Sequence, residues 1–202
     1  MALNLIPVLA GGVRLFSLAS SAAITAANAR FFAQPLPVVL HITCGVVYCL
    51  LGILQFQSGF RRRNRRWHRV AGWIVAPAGI VAALAGLWMT LFYPHVPNDG
   101  PVLYLSRLAF GALMVLCIAL GIAAILRRDI VHHRAWMMRG YALGLGAGTQ
   151  ALIQIPWVIL VGEPTELPRS LLMGGAWLLN LAVAEWVIRQ SPQLPRNLAP
   201  AM

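Results

Sequence analysis

Apolar residues run along the chain in long blocks, and polar residues are confined to short segments between them. Runs holding at most one charged residue cover 37–58, 70–93, 102–126, 140–161 and 170–188. Each is close to the ~20 residues that an α-helix needs to cross the hydrocarbon core of a bilayer. Strands of a transmembrane barrel would be about ten residues long with alternating polarity, and these runs do not alternate. The pattern therefore predicts helices. A weaker stretch, 5–26, is interrupted by Arg14 and diluted by Ser17, Ser20, Ser21 and Thr25. It reads as a sixth helix, with a cleaved signal peptide as the alternative because Ala27-Asn28-Ala29 has the small residues of a cleavage site. The apolar segment before Arg14 and the absence of a basic start favour the helix. The expected fold class is all-α: a polytopic transmembrane bundle of about six helices, one integral membrane domain over 1–202.

Composition agrees with this pattern. Hydrophobic residues make up 59% of the 202 and charged residues 10%, where soluble domains carry about 25% charge. There is too little polar surface to cover a water-soluble globule of this size. The formal net charge is +11, and all 16 basic residues are arginine. Such a balance first invites nucleic acid as a partner, but the placement of the arginines gives another account. Six lie in Arg61–Arg69, four in Arg127–Arg139, and Arg189 and Arg196 follow the last run. The opposite connections hold Arg30 and Arg169 with the acidic Asp99, Glu163 and Glu166. By the positive-inside rule the first group is cytoplasmic, which places both the N and C termini inside and leaves only short loops. No nucleic-acid partner is expected. The Arg61–Arg69 loop is expected to meet anionic lipids of the inner leaflet.

Soluble-enzyme chemistry has no foothold: there is no phosphate-binding glycine loop, nucleophile elbow or zinc motif. Cys44, Cys49 and Cys117 fall inside apolar runs with no paired spacing and read as small core residues. The histidines form two sets. His41 and His95 fall at one membrane face, and His68, His132 and His133 at the arginine-rich one. Steps of four and three from His68 reach Gly72, Ala76, Gly79, Ala83 and Gly86, and from His133 reach Met137, Gly140, Gly144, Ala147 and Ala151. From His41 they reach Gly45, Tyr48, Gly52 and Gln55. One reading of these small faces is close helix packing in the bilayer. The other is a b-type haem at the cytoplasmic face, with the imidazoles of His68 and His133, or His132, on the iron and space left by Gly72 and Gly140. Arg69, Arg134 or Arg139 would then pair with the propionates. His41 and His95 are candidates for an outer site, although His95 sits in a loop, Pro94-His95-Val96-Pro97. Charges inside the runs also need partners. Arg14 is expected to find Glu185, and Glu185 stands four residues before Arg189.

Leu40-His41-Ile42, Gly52-Ile53-Leu54-Gln55-Phe56, Trp67-His68-Arg69 with Gly72, Gly86-Leu87-Trp88, and Arg128-Asp129 followed by His133-Arg134-Ala135-Trp136-Met137-Met138-Arg139 carry a resemblance. From His41 to Pro156 the chain resembles the bacterial membrane-protein family called domain of unknown function 2306. It departs from the family pattern at Trp73 and near Gln150, where that pattern often has arginine. The resemblance implies a multi-helix membrane domain with His41, His68, His133, Trp136 and Arg139 as signature positions, and it implies no activity. The inner histidine pair is also similar in arrangement to cytochrome b561-like haem bundles, an analogy of architecture. The expected protein is a multi-pass protein of the bacterial cytoplasmic (inner) membrane, transferring electrons through haem b and exchanging them with quinone. The alternatives are a non-catalytic membrane subunit or lipid-contacting scaffold with a protein partner, and a small-solute transporter.

Overall fold

Residues 2–190 are described by a computed structural model, and their regular structure is helical throughout. In chain order the helices are α1 (Ala2–Ala19), α2 (Ala29–Ala33), α3 (Pro35–Phe56), α4 (Ser58–Arg63), α5 (Arg65–Phe92), α6 (Pro101–Leu126), α7 (Ile130–Gly144), α8 (Gly146–Val161) and α9 (Glu166–Gln190). Four single helices, α3, α5, α6 and α9, and the joined pair α7–α8 are long and apolar enough to cross a membrane. Leu5, Leu9, Val13 and Phe16 on α1, and Ile159 and Leu160 on α8, are exposed, as lipid-facing side chains should be. The expected position of the C terminus, and Arg196 with it, lies outside the described residues.

Two boundaries differ from the sequence pattern. The first helix occupies Ala2–Ala19 and stops before Ser21, whose positive φ of 50° breaks it, so the expected stretch 5–26 is helical only in its first part. Asn4 donates to the Cys49 carbonyl at 3.4 Å, and Gly11 lies against Ile42. That antiparallel register starts α1 about one turn short of the Phe56 end of α3. The second difference is at 140–161. The helix there begins ten residues earlier, at Ile130, because Asp129 caps it by accepting the His132 backbone N–H at 3.1 Å. It then breaks at Leu145, inside Gly144-Leu145-Gly146-Ala147-Gly148.

The break is held by tertiary contacts. Gly146 is covered by the Trp177 indole and Gly148 by the Leu3 carbonyl, so any larger residue at either position would meet α9 or the start of α1. Asn180 on α9 supplies a donor to the Ala142 carbonyl at 3.1 Å, and its own amide oxygen accepts from Thr149 at 2.9 Å. Gln150 donates to the Met173 carbonyl at 3.2 Å. In hydrocarbon a broken helix persists only where other groups serve the freed backbone; Asn180 does so at the Ala142 carbonyl, while Thr149 holds the Asn180 amide in place and Gln150 ties α8 to α9.

The core gathers Tyr48, Val75, Ala76, Ala83, Met114, Cys117, Ile118 and Leu143. Tyr48 of α3 is its centre, with 1% of its surface exposed. The ring lies against Gly79 of α5 and Gly144 of α7, and its hydroxyl is 3.3 Å from where a Cβ at Gly140 would be. The small faces that follow His68 and His133 in sequence are therefore used as packing surfaces for an aromatic wedge.

Candidate functional site

A cleft of about 660 Å³ opens at the end of the bundle away from the arginine-rich loops. It runs from the loop around Pro94, His95 and Asp99 down to Tyr48, Cys49 and Gly144, roughly 16 Å along α3 at 1.5 Å per residue. Helices α1, α2, α3, α5, α6, α8 and α9 all contribute walls, and the lower part is apolar apart from Asn4 and Gln150. The break between α7 and α8 forms its floor, since Leu143, Gly144, Ala147 and Gly148 all line it.

Charge is collected at its upper part. Arg14, Arg30, Arg107 and Arg169 all line the cleft, and these are the described arginines that lie outside the segments 61–69, 127–139 and 189. Asp99 is the acidic residue of the lining. Its carboxylate takes a hydrogen bond from Arg107 at 2.5 Å on one oxygen and from Arg169 at 2.9 Å on the other, tying the start of α6 to the start of α9. Arg14 and Arg30 instead lie over the Phe31 ring, 4.6 and 4.7 Å from its centroid. Burial lowers the Arg30 pKa from its ordinary value; Asp99 opposes that shift, and Arg107 and Arg14 add to it.

His41 stands between the arginines at the top of the cleft and Tyr48 at its bottom. It is exposed and lines the cleft. Its Nδ1 lies 2.8 Å from the Ala82 carbonyl on α5. A carbonyl only accepts, so Nδ1 carries the proton and Nε2 is left with its lone pair. Gly86, one turn beyond Ala82, makes room: a Cβ there would stand 3.2 Å from the imidazole. His95 lines the same cleft, its ring 5.7 Å from that of Tyr104. The two outer candidates from the sequence are thus brought to one cavity.

The arginine-rich end is built differently. His133 donates Nδ1–H to the Gly121 carbonyl at 2.8 Å, and His68 lies within electrostatic reach of His133 and Arg61 with its Nδ1 buried and unpartnered. His132 is no companion to them. Its ring turns outward to Asp129, 2.6 Å away, as part of the cap of α7. Arg139 is engaged by Glu185 rather than free for a propionate, and Arg69 and Arg134 are exposed. The expected Arg14–Glu185 pair does not form, because α1 carries Arg14 to the cleft while Glu185 lies against α7. Of the two glycines expected to leave room for a porphyrin, Gly140 has Ile118, the Tyr48 hydroxyl and Cys117 beside it, and Gly72 is open. No group of three metal-ligating side chains occurs among the described residues.

Sequence reasoning found His41 and His95 but not the convergence of the four arginines. A signal was present, since two of them, Arg14 and Arg107, interrupt apolar runs and none belongs to the positive-inside loops. What defines the molecule is a polytopic helical membrane protein with a cationic cleft entering it from one end. The chain belongs to the family described as predicted membrane protein (DUF2306), whose model matches residues 38–188. The match supports the family and does not extend to the likeness with cytochrome b561-like bundles. No curated protein and no solved structure matches the chain.

Proposed function

We propose that this protein binds an amphipathic small molecule inside its bundle, the apolar body lying between α1, α3, α6 and α8 and the polar end among the arginines. The observation that carries the reading is the 660 Å³ cleft into which Arg14, Arg30, Arg107 and Arg169 converge. Its size is that of ligand sites, which commonly fall at about 300–1,000 Å³, with a few placed polar groups on an apolar wall. Arginines inside a membrane bundle are costly and mark function by default.

Gly45 offers the test. It lines the cleft, and a Cβ there would meet nothing within 4 Å, so Gly45→Trp obstructs the space without a first-atom clash. Purified protein in neutral detergent is expected to bind a radiolabelled single-chain amphiphile such as dodecyl phosphate. The Gly45→Trp variant, folded by circular dichroism, is expected to bind it at least about tenfold more weakly. Equal binding by the two proteins would refute the cleft reading.

Electron transfer through a haem b on His68 and His133, with quinone as exchange partner, is the competing reading. It draws support from the way His133 is held, Nδ1–H on a backbone carbonyl, which is how ligating histidines are commonly oriented. It requires Tyr48 and Ile118 to leave Gly140. Protein purified from haem-supplied cells with a Soret band that is lost in both His68→Ala and His133→Ala would favour it over the cleft. A non-catalytic subunit meeting a protein partner is supported by the direct packing of the small faces.

The membrane we take to be the bacterial cytoplasmic one, with Arg61–Arg69 and Arg127–Arg139 inside. The positive-inside rule supports this, and so does the exposure of Arg62, Arg63, Arg65, Arg66 and Arg69, which suits contact with anionic lipid. In a variant without its native cysteines, Arg66→Cys should be shielded from an impermeant maleimide in intact cells and Thr165→Cys should be labelled. The reverse pattern would invert the topology.

A further inference from the structure

The four arginines of the cleft are not equivalent. Arg107 and Arg169 share the carboxylate of Asp99, whereas Arg14 and Arg30 have no carboxylate partner among the described residues. Arg14 makes no side-chain hydrogen bond there. Arg30 reaches the Pro94 carbonyl at 3.5 Å, and its Nε is buried without a partner. Each guanidinium nevertheless lies over the same ring, Phe31. That ring is held in turn by the edge of Tyr93, 5.6 Å between centroids, and the Tyr93 hydroxyl donates to the Gln34 carbonyl at 2.6 Å.

Two like charges on one aromatic ring repel each other, and a buried N–H without an acceptor costs free energy. An oxyanion meeting both groups removes both costs at once, since each guanidinium presents a planar fork of donors to two oxygens. Asp99 sharpens this choice. By accepting from Arg107 and Arg169 it engages their donors, and leaves Arg14 and Arg30 as the two cleft arginines without a carboxylate.

We infer that Arg14 and Arg30, set on Phe31, are the head-group site of the cleft, and that its ligand is an anionic amphiphile, a phosphate or carboxylate carried on one apolar body. The inference rests on the cleft reading above and adds the chemistry of the ligand. The apolar wall below the arginines takes the body, and the pair takes the head.

The test compares radiolabelled dodecyl phosphate, radiolabelled dodecanol and inorganic phosphate on the full chain in neutral detergent. Wild-type protein is expected to bind dodecyl phosphate about tenfold or more tighter than dodecanol, and inorganic phosphate far more weakly than either. Arg14→Gln and Arg30→Gln should each weaken dodecyl phosphate by about tenfold and leave dodecanol within about twofold, while Arg62→Gln at the far end changes neither. Equal binding of phosphate and alcohol by the wild type, or a preference retained by the double variant, overturns the head-group site and leaves the cleft standing. Inorganic phosphate binding as tightly as dodecyl phosphate overturns the amphiphile in favour of a free anion. If neither amphiphile binds, or Gly45→Trp leaves their binding unchanged, the cleft reading fails and takes this one with it.

Discussion

The guanidinium of Arg139 on α7 holds the carboxylate of Glu185 on α9 through two parallel hydrogen bonds, Nε to one oxygen and Nη2 to the other, the second at 3.1 Å. The same guanidinium lies over the Trp136 ring, 4.6 Å from its centroid. A forked pair of this kind fixes the rotation of both helices, and it joins the segment carrying His133 to the last helix of the bundle. Its side chains are 24% and 35% exposed, so solvent and lipid head groups screen part of its strength. A double-mutant cycle with Arg139→Ala and Glu185→Ala should give a coupling of about 1–2 kcal/mol in thermal or denaturant unfolding. Arg139→Ala should cost more than Glu185→Ala, because it also removes the contact with Trp136. A coupling near zero would mean that the pair does not hold α7 to α9.

Tyr48 is a wedge whose ring matters and whose hydroxyl does not. The hydroxyl is buried with no hydrogen-bond partner. Tyr48→Phe should therefore leave stability unchanged or raise it by up to about 1 kcal/mol, whereas Tyr48→Ala should cost about 3–5 kcal/mol through the cavity left behind. From the other side, Gly79→Ala puts a methyl 2.5 Å from the ring and 2.8 Å from Ile118, and should cost about 1–3 kcal/mol. Melting curves of the three variants check this, and a stable Tyr48→Ala would show that the small faces are not packed on the ring.

Asp99 closes the upper part of the cleft. Its side chain is 6% exposed, while those of Arg107 and Arg169 are 29% and 25% exposed. Asp99→Ala leaves two arginines without their acceptor and should destabilise the protein by about 3 kcal/mol. The same change adds positive charge to the lining, so the dodecyl phosphate affinity of the folded fraction should rise. A fall in affinity at full folding would place the head group elsewhere.

Asp129 makes the start of α7 sensitive to acid. The His132 backbone N–H is the main reason that its carboxyl pKa lies below the ordinary value, and the His132 side chain adds to it. A depressed folded-state pKa gives stability that is present above the unfolded value of about 3.9 and is lost as pH falls through the folded one. Amides at 130–133 should thus exchange faster with solvent as pH falls below about 4, once corrected for intrinsic rates. Asp129→Asn should keep the cap and abolish that pH dependence, and Asp129→Ala should lose the cap at neutral pH. Protection independent of both substitutions would count against the cap.

Element type and the five long apolar spans were legible because a bilayer makes one demand on every crossing segment, an apolar run of sufficient length with its backbone bonds closed internally. The runs 37–58 and 102–126 match α3 and α6 within two residues at each end, and the arginine distribution separated one end of the bundle from the other. The break at Leu145 could not be read in the same way. It depends on Trp177, Leu3 and Asn180, which are distant in sequence and decide which backbone groups can be left unpaired by the helix. Spacing likewise put small residues under His68 and His133, but periodicity reports a face and not its occupant. Only the packed bundle assigned that face to Tyr48 and Ile118. The cleft was decided by tertiary structure for a similar reason. Arg14, Arg30, Arg107 and Arg169 come from four separate helices, and their meeting is a property of how α1 and α9 dock, which no local pattern encodes.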